Sequence, residues 1–115
     1  MESRPLSLAE LPACISTYFS SVNHRQCSEA AACFATDAVV HDEEEDRIGR
    51  DAIYVWIEDT TKRYQHQTEL LEAAASADEK FSVTARVTGQ FPGSPVELQY
   101  DFTLAGDHIS RLAID

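Results

Sequence analysis

Cys33-Phe34-Ala35-Thr36-Asp37-Ala38-Val39-Val40-His41-Asp42 passes from helical to extended patterning and so marks where the helices give way to sheet. Its first residues finish a short amphipathic helix in which Cys27, Ala30, Ala31 and Phe34 share a face at helical spacing. Thr36 and Asp37 break that helix. Ala38 to Asp42 then predicts a short strand, with Ala38, Val40 and Asp42 on one side and His41 on the other. An ionisable residue thus ends a strand on its apolar face.

Toward the N-terminus, Ile15, Tyr18, Phe19 and Val22 recur at i, i+3, i+4 and i+7, which predicts a longer amphipathic helix. Pro12 suits its first position, and Asn23, His24 and Arg25 close it. Ser7 and Glu10 have capping-box spacing. Toward the C-terminus, Glu43 to Asp46 reads as a solvated acidic loop, without the ligand order or the glycine of a calcium loop. Gly49 precedes a third helix with Ile53, Trp56 and Ile57 on one face and Tyr64 further on.

The period then changes from helical to two. Phe81, Val83, Ala85 and Val87 alternate with polar residues, and so do Val96, Leu98, Tyr100, Phe102 and Leu104, as in half-buried antiparallel strands. Phe91-Pro92-Gly93-Ser94-Pro95 supplies the turn between them, and Ala105-Gly106-Asp107 leads into a last strand, His108 to Ile114. Gln67 to Ala77 is rich in Glu, Leu and Ala, so propensity alone reads it as helix.

The 115 residues fit one domain, and 43% hydrophobic content can fill its core without disulfides or metal. Nine basic residues against twenty acidic ones give a net charge of −11, which argues against nucleic acid and anionic membrane as partners. An odd count of cysteines (Cys14, Cys27, Cys33) without CxxC spacing suits reduced thiols in the cytoplasm, packed as core filler. Met1 to Pro5 lacks a signal core, and no run approaches membrane-spanning length. The four histidines are scattered without metal-ligand spacing, and no GxSxG, P-loop or dinucleotide-binding glycine pattern occurs. The expectation is therefore no metal and no cofactor.

Tyr18-Phe19-Ser20-Ser21-Val22-Asn23, the Cys33 to Asp42 stretch, Gly49-Arg50-Asp51-Ala52-Ile53, and Val87-Thr88-Gly89 with Phe91 to Pro95 together resemble the nuclear transport factor 2-like superfamily, also called SnoaL-like or ketosteroid-isomerase-like. The resemblance implies a single α+β domain over 1–115. It would be cone-shaped, with three N-terminal helices packed on a curved, mostly antiparallel sheet. It also implies that Gln67 to Ala77 is a strand paired with the 81–91 region, against its propensity. The superfamily holds isomerases, cyclases, hydrolases, dehydratases and binding modules, so fold alone does not give activity.

Aligning Phe-Ala-x-Asp-Ala-x-Val with ketosteroid isomerase puts Asp42 at that family's general base and Tyr18 at its oxyanion-hole tyrosine. The family's second donor is a carboxylic acid on a late strand. Tyr100 stands in that place here, with Asp101 beside it on the polar face. A carboxylate facing apolar neighbours is costly unless it has a task or a partner, although an aspartate at a loop edge also reaches water. A buried tyrosine finds a partner for its hydroxyl, which a ligand or a backbone carbonyl can supply.

The resulting expectation is a pocket for a small apolar or aromatic carbonyl compound. Asp42, Tyr18 and Tyr100 are the catalytic candidates of an isomerase- or cyclase-like enzyme, and Phe34, Trp56, Phe81, Val83, Leu98 and Phe102 are the candidate lining. The alternative is a non-catalytic ligand-binding or dimerisation module. The sheet face with Ser82, Thr84, Arg86, Gln99, Asp101 and Arg111 is expected to form a two-fold homodimer.

Overall fold

The computed structural model describes residues 3–115; Met1 and Glu2, the first residues of the segment read above as lacking a signal core, lie outside it. In chain order the elements are β1 (Arg4–Leu6), α1 (Ala13–Asn23), α2 (Cys27–Ala32), β2 (Phe34–Asp42), β3 (Glu45–Ile48), α3 (Arg50–Tyr64), β4 (Gln67–Ala77), β5 (Lys80–Thr88), β6 (Val96–Ala105) and β7 (His108–Ile114). The strands form one sheet in the order β1-β4-β5-β6-β7-β2-β3. Every neighbouring pair is antiparallel except β2 with β7. The described residues are thus α+β, with three α-helices and a seven-stranded, mostly antiparallel sheet. Only α1 and α2 precede the first long strand; the β2–β3 hairpin separates them from α3.

The period-two segments form β5 and β6 as expected. Val83, Ala85 and Val87 are buried along β5, and Tyr100, Phe102 and Leu104 along β6. Gln67 to Ala77 is a strand, paired from Gln67↔Thr88 to Ala77↔Lys80. Helix propensity is worth only tenths of a kcal/mol per residue. A strand bonded to β1 on one side and β5 on the other outweighs it. The register shift between Leu70 and Glu72 inserts a bulge that bends β4.

Three boundaries depart from the sequence reading. Phe34 is not the last residue of a helix but the first of β2, because it pairs with Ile109 of β7 while the Ile109 amide donates to the Cys33 carbonyl at 2.8 Å. Thr36 and Asp37 do not interrupt the strand. They occupy the stretch where β2 shifts register against β7, and both are exposed. The acidic run is only half a loop. Glu43 and Glu44 turn with φ of 55° and 62°, as a two-residue hairpin connection requires, and Glu45 and Asp46 begin β3.

The quoted motifs also have local physical roles. Gly49 takes φ 93°, and its amide donates to the Ala38 carbonyl at 2.8 Å. Arg50 places Nε and Nη2 on the Phe34 carbonyl at 3.0 and 2.6 Å, tying the start of α3 to the start of β2. Asn23 pairs its side-chain amide with both backbone groups of Thr68, each at 2.8 Å, locking the end of α1 to β4. The capping-box pair closes one 3-10 turn, Leu8–Glu10, where the Ser7 amide donates to Glu10 Oε1 at 2.8 Å. α1 begins after Pro12. No helix of the described residues is long and apolar enough to cross a membrane.

Candidate functional site

Asp42 ends β2 on the same side as the fully buried Ala38 and Val40, so the pleat carries its carboxylate toward the helices. There the indole Nε1–H of Trp56, on α3, donates to Asp42 Oδ2 at 3.2 Å. Arg50, at the start of α3, helps set the register that makes this contact possible. His41 points the other way and bonds Asp46 across the hairpin at 2.7 Å. Burial raises the pKa of Asp42, the Trp56 bond opposes that rise, Glu43 adds to it and Arg47 counters it. The result is a stronger base than an ordinary aspartate.

Tyr18 comes from the buried stripe of α1. Its ring stands edge-on to Phe19, Phe34 and Phe102, at centroid distances of 5.2, 5.5 and 6.2 Å. Its hydroxyl takes part in none of the side-chain hydrogen bonds found among the described residues. Tyr100 sits on β6, packed edge-on to Phe19 at 5.0 Å. Burial holds the pKa of Tyr18 well above the ordinary phenol value, and Tyr100 and Asp42 push it further; burial and Asp42 raise Tyr100 in the same way, with Thr68 easing it. Both phenols stay protonated and can donate.

Tyr18, Asp42, Tyr100, Trp56 and Leu98 line one cavity of about 360 Å³. Tyr18 and Tyr100 are buried, Asp42 is half-buried and Glu43 is exposed, so the cavity runs from a phenolic interior to an acidic mouth. Phe34, Phe81, Val83 and Phe102 do not line it. Phe34, Val83 and Phe102 are fully buried in the core, and Phe81 packs against that core from a half-buried position.

Residues that the sequence reading did not single out complete the mouth. Tyr64, at the end of α3, stacks edge-on to Phe91 at 5.7 Å and donates to Glu43 Oε2 at 3.1 Å. The rim therefore joins helix, hairpin turn and the β5–β6 connection. His66 also lines the cavity, with a buried Nδ1 that has no hydrogen-bond partner among the described residues; burial and then Arg25 lower its pKa, which favours the neutral imidazole. Gly89 lets the β5–β6 connection close on this rim. A Cβ there would lie 2.7 Å from the Tyr64 carbonyl oxygen. The cysteines lie apart from the site. Cys33 is pushed up to about 11 by burial and then Cys14, which leaves a protonated, unreactive thiol.

No protein-family model matches the sequence, and no curated protein matches it. Solved structures do. A proposed polyketide cyclase from Sinorhizobium meliloti is 35% identical, covering 96% of this chain and 100% of its own, with a TM-score of 0.90. A hypothetical protein with a ketosteroid isomerase-like fold from Catenulispora acidiphila, solved with trimethylamine, is 16% identical over 90% of this chain and 85% of its own, TM-score 0.79. A nuclear transport factor 2-like protein of unknown function from Cytophaga hutchinsonii is 9% identical over 89% and 85%, TM-score 0.74. The two distant structures establish the fold and the first establishes kinship: the chain belongs to the nuclear transport factor 2-like (SnoaL-like, ketosteroid-isomerase-like) superfamily.

Proposed function

We propose that this protein is a cofactor-independent enzyme of isomerase or cyclase type acting on a small, mostly apolar carbonyl compound. The observation that carries the reading is the convergence of the Asp42 carboxylate and the protonated Tyr18 and Tyr100 phenols on a single cavity. Asp42 would take a proton from the carbon next to the carbonyl. Tyr18 and Tyr100 would donate hydrogen bonds to the oxygen as it gains charge, a contribution that is largest in a water-poor, preorganised site. The enolate would then recover a proton from Asp42 at another carbon, which is isomerisation. If its carbon instead attacks a second carbonyl of the same molecule, a carbon–carbon bond forms as that carbonyl's π bond opens, and the resulting alkoxide takes back the proton from Asp42, which is aldol-type cyclisation. Kinship with the proposed cyclase supports this class of chemistry.

The second reading, a ligand-holding module without catalysis, is favoured by one observation: Trp56 already gives Asp42 a structural partner. Exchange in deuterated water separates the two. Incubated with a panel of aryl ketones and followed by proton NMR, the enzyme should speed exchange at the carbon next to the carbonyl, and Asp42→Asn should abolish it. Ketones that bind without accelerated exchange would make the protein a binding module. On either reading the reduced-thiol composition fits the cytoplasm, a single domain over 1–115 accounts for the chain, and a homodimer through the sheet is the assembly we propose.

A further inference from the structure

The cavity has a charge pattern that the proposed chemistry does not need. Asp42 and Glu43 line it, and among the described residues no lysine or arginine does. Arg25, Arg47 and Arg63 each bond a lining residue without lining the cavity themselves. Arg25 bonds the Val22 and His66 carbonyls. Arg47 bonds the Asp42 carbonyl and pairs with Glu45. Arg63 pairs with Asp59 and donates to the Tyr64 hydroxyl. Burial favours the neutral form of His66, which offers no compensating charge. Glu43 makes no ion pair among the described residues, and its one side-chain partner is the neutral Tyr64 hydroxyl. The aromatic rings of Tyr64, Phe91 and Trp56 line the same void; the Arg63 guanidinium already lies over the Tyr64 ring, 5.0 Å from its centroid, which leaves Phe91 and Trp56 as the rings without such a partner among the described residues.

We infer that the ligand is an aromatic or alicyclic carbonyl compound carrying a protonated or quaternary amine, with its oxygen at Tyr18 and Tyr100 and its cationic end at the mouth against Glu43. Carboxylates and phosphates are turned away. Aromatic faces attract a cation through their negative quadrupole, and an unpaired carboxylate beside them adds a direct charge. The two ends of the cavity thus ask for opposite things: hydrogen-bond donors meet an acceptor inside, and acceptors meet a positive group outside. A long-axis ligand satisfies both in one orientation only, which would also fix which carbon faces Asp42. This inference rests on the enolate-site reading and adds a substrate class to it.

Three para-substituted phenols test it, because a phenol oxygen stands in for the enolate oxygen. 4-(Trimethylammoniomethyl)phenol is cationic, 4-neopentylphenol is its uncharged isostere, and 4-hydroxyphenylacetate is anionic. By calorimetric titration at low salt the cation should bind about tenfold tighter than the isostere, a difference of about 1.4 kcal/mol. The anion should bind weaker than either. The cation's advantage should shrink as salt is added. Glu43→Gln should cut the cation-to-isostere ratio at least threefold, since glutamine can still accept the Tyr64 bond. Glu44→Gln, on an exposed neighbour outside the cavity, should leave the ratio as it was. A cation no tighter than its isostere, an anion that binds as well as the neutral compound, or a ratio insensitive to Glu43→Gln would overturn the inference while leaving the enolate site standing. Failure of all three phenols to bind would overturn both.

Discussion

Replacing Tyr18 by Phe and Asp42 by Asn should move phenol affinity in opposite directions. The Tyr18 hydroxyl is the right atom to remove because its loss costs the folded protein little. Its ring contacts with Phe19, Phe34 and Phe102 all survive in phenylalanine, and no protein hydrogen bond found among the described residues is broken. The change in binding is therefore the ligand's own hydrogen bond, about 1–3 kcal/mol, or roughly five- to hundred-and-fifty-fold in Kd. Asp42→Asn should instead tighten binding. An ionised carboxylate about 4 Å from a phenolate repels it by about 4 kcal/mol at an effective dielectric constant of about 20, and asparagine relieves that repulsion while keeping an acceptor for the Trp56 indole. The gain should grow as pH rises through the phenol's own pKa. Fluorescence titration of substituted phenols into wild type and both variants, with melting temperatures alongside, reads all of this. If Tyr18→Phe lowers the melting temperature without weakening phenols, the tyrosine is structural. If Asp42→Asn leaves affinity flat at every pH, the carboxylate does not face the ligand, and the reasoning about the site fails.

Other outcomes follow from single contacts. Trp56→Phe removes the donor that favours ionised Asp42, so its pKa should rise and the acid limb of the ketone-exchange pH profile should move to higher pH; an unmoved limb would detach Trp56 from the base. Gly89→Ala must displace the Tyr64 carbonyl and should cost about 1–3 kcal/mol in urea unfolding; a neutral result would mean that the rim gives freely. His66 has a depressed folded pKa, so its folded state binds a proton less readily than the unfolded chain, and stability should fall as pH drops below about 6.5; His66→Phe should flatten that part of the pH–stability curve, and an unchanged curve would rule out His66 as its source. Light scattering should give twice the chain mass, and Arg111→Glu together with Arg86→Glu on the sheet face should shift it to one; a wild-type monomer at all concentrations would remove the dimer.

Local patterns made much of the architecture legible. The stripe Ile15, Tyr18, Phe19, Val22 became the buried face of α1, and the alternations around Val83 and Phe102 became the inward faces of β5 and β6. What local pattern could not carry was anything set by a distant partner. Gln67 to Ala77 has helical composition and is a strand because β1 and β5 bond it on both sides, which only the family resemblance anticipated. Phe34 fits a helical face and a strand equally well; its pairing with Ile109, seventy-five residues on, decides between them. Glu45 and Asp46 read as loop because acidic residues are poor strand formers, yet Asp46 opposes His41 and gains its hydrogen bond there.

The site shows the same division. Alternation reveals which face of a strand turns inward, but not how far along the strand the interior stops being core and becomes cavity. On β6 the inward residues run Val96, Leu98, Tyr100, Phe102 and Leu104; the first three line the cavity, and the last two lie in the core. On β5 the order reverses, as antiparallel pairing demands: Val87 lines the cavity while Val83 and Ala85 are core. Tyr100 and Leu98 thus face inward at the depth of the cavity, whereas Phe102 and Val83 face inward where the sheet is covered by core. Depth is set by where α1 and α3 cover the sheet, and the sequence of a strand holds no record of that. Asp42 escapes the ambiguity because it ends β2: beyond it the chain turns through Glu43 and Glu44 to solvent, so a carboxylate on the apolar face at that point has to stand where the core gives way to the opening. A strand's last inward residue is therefore the position at which a titratable group can be dry enough to shift its pKa and open enough to meet a ligand.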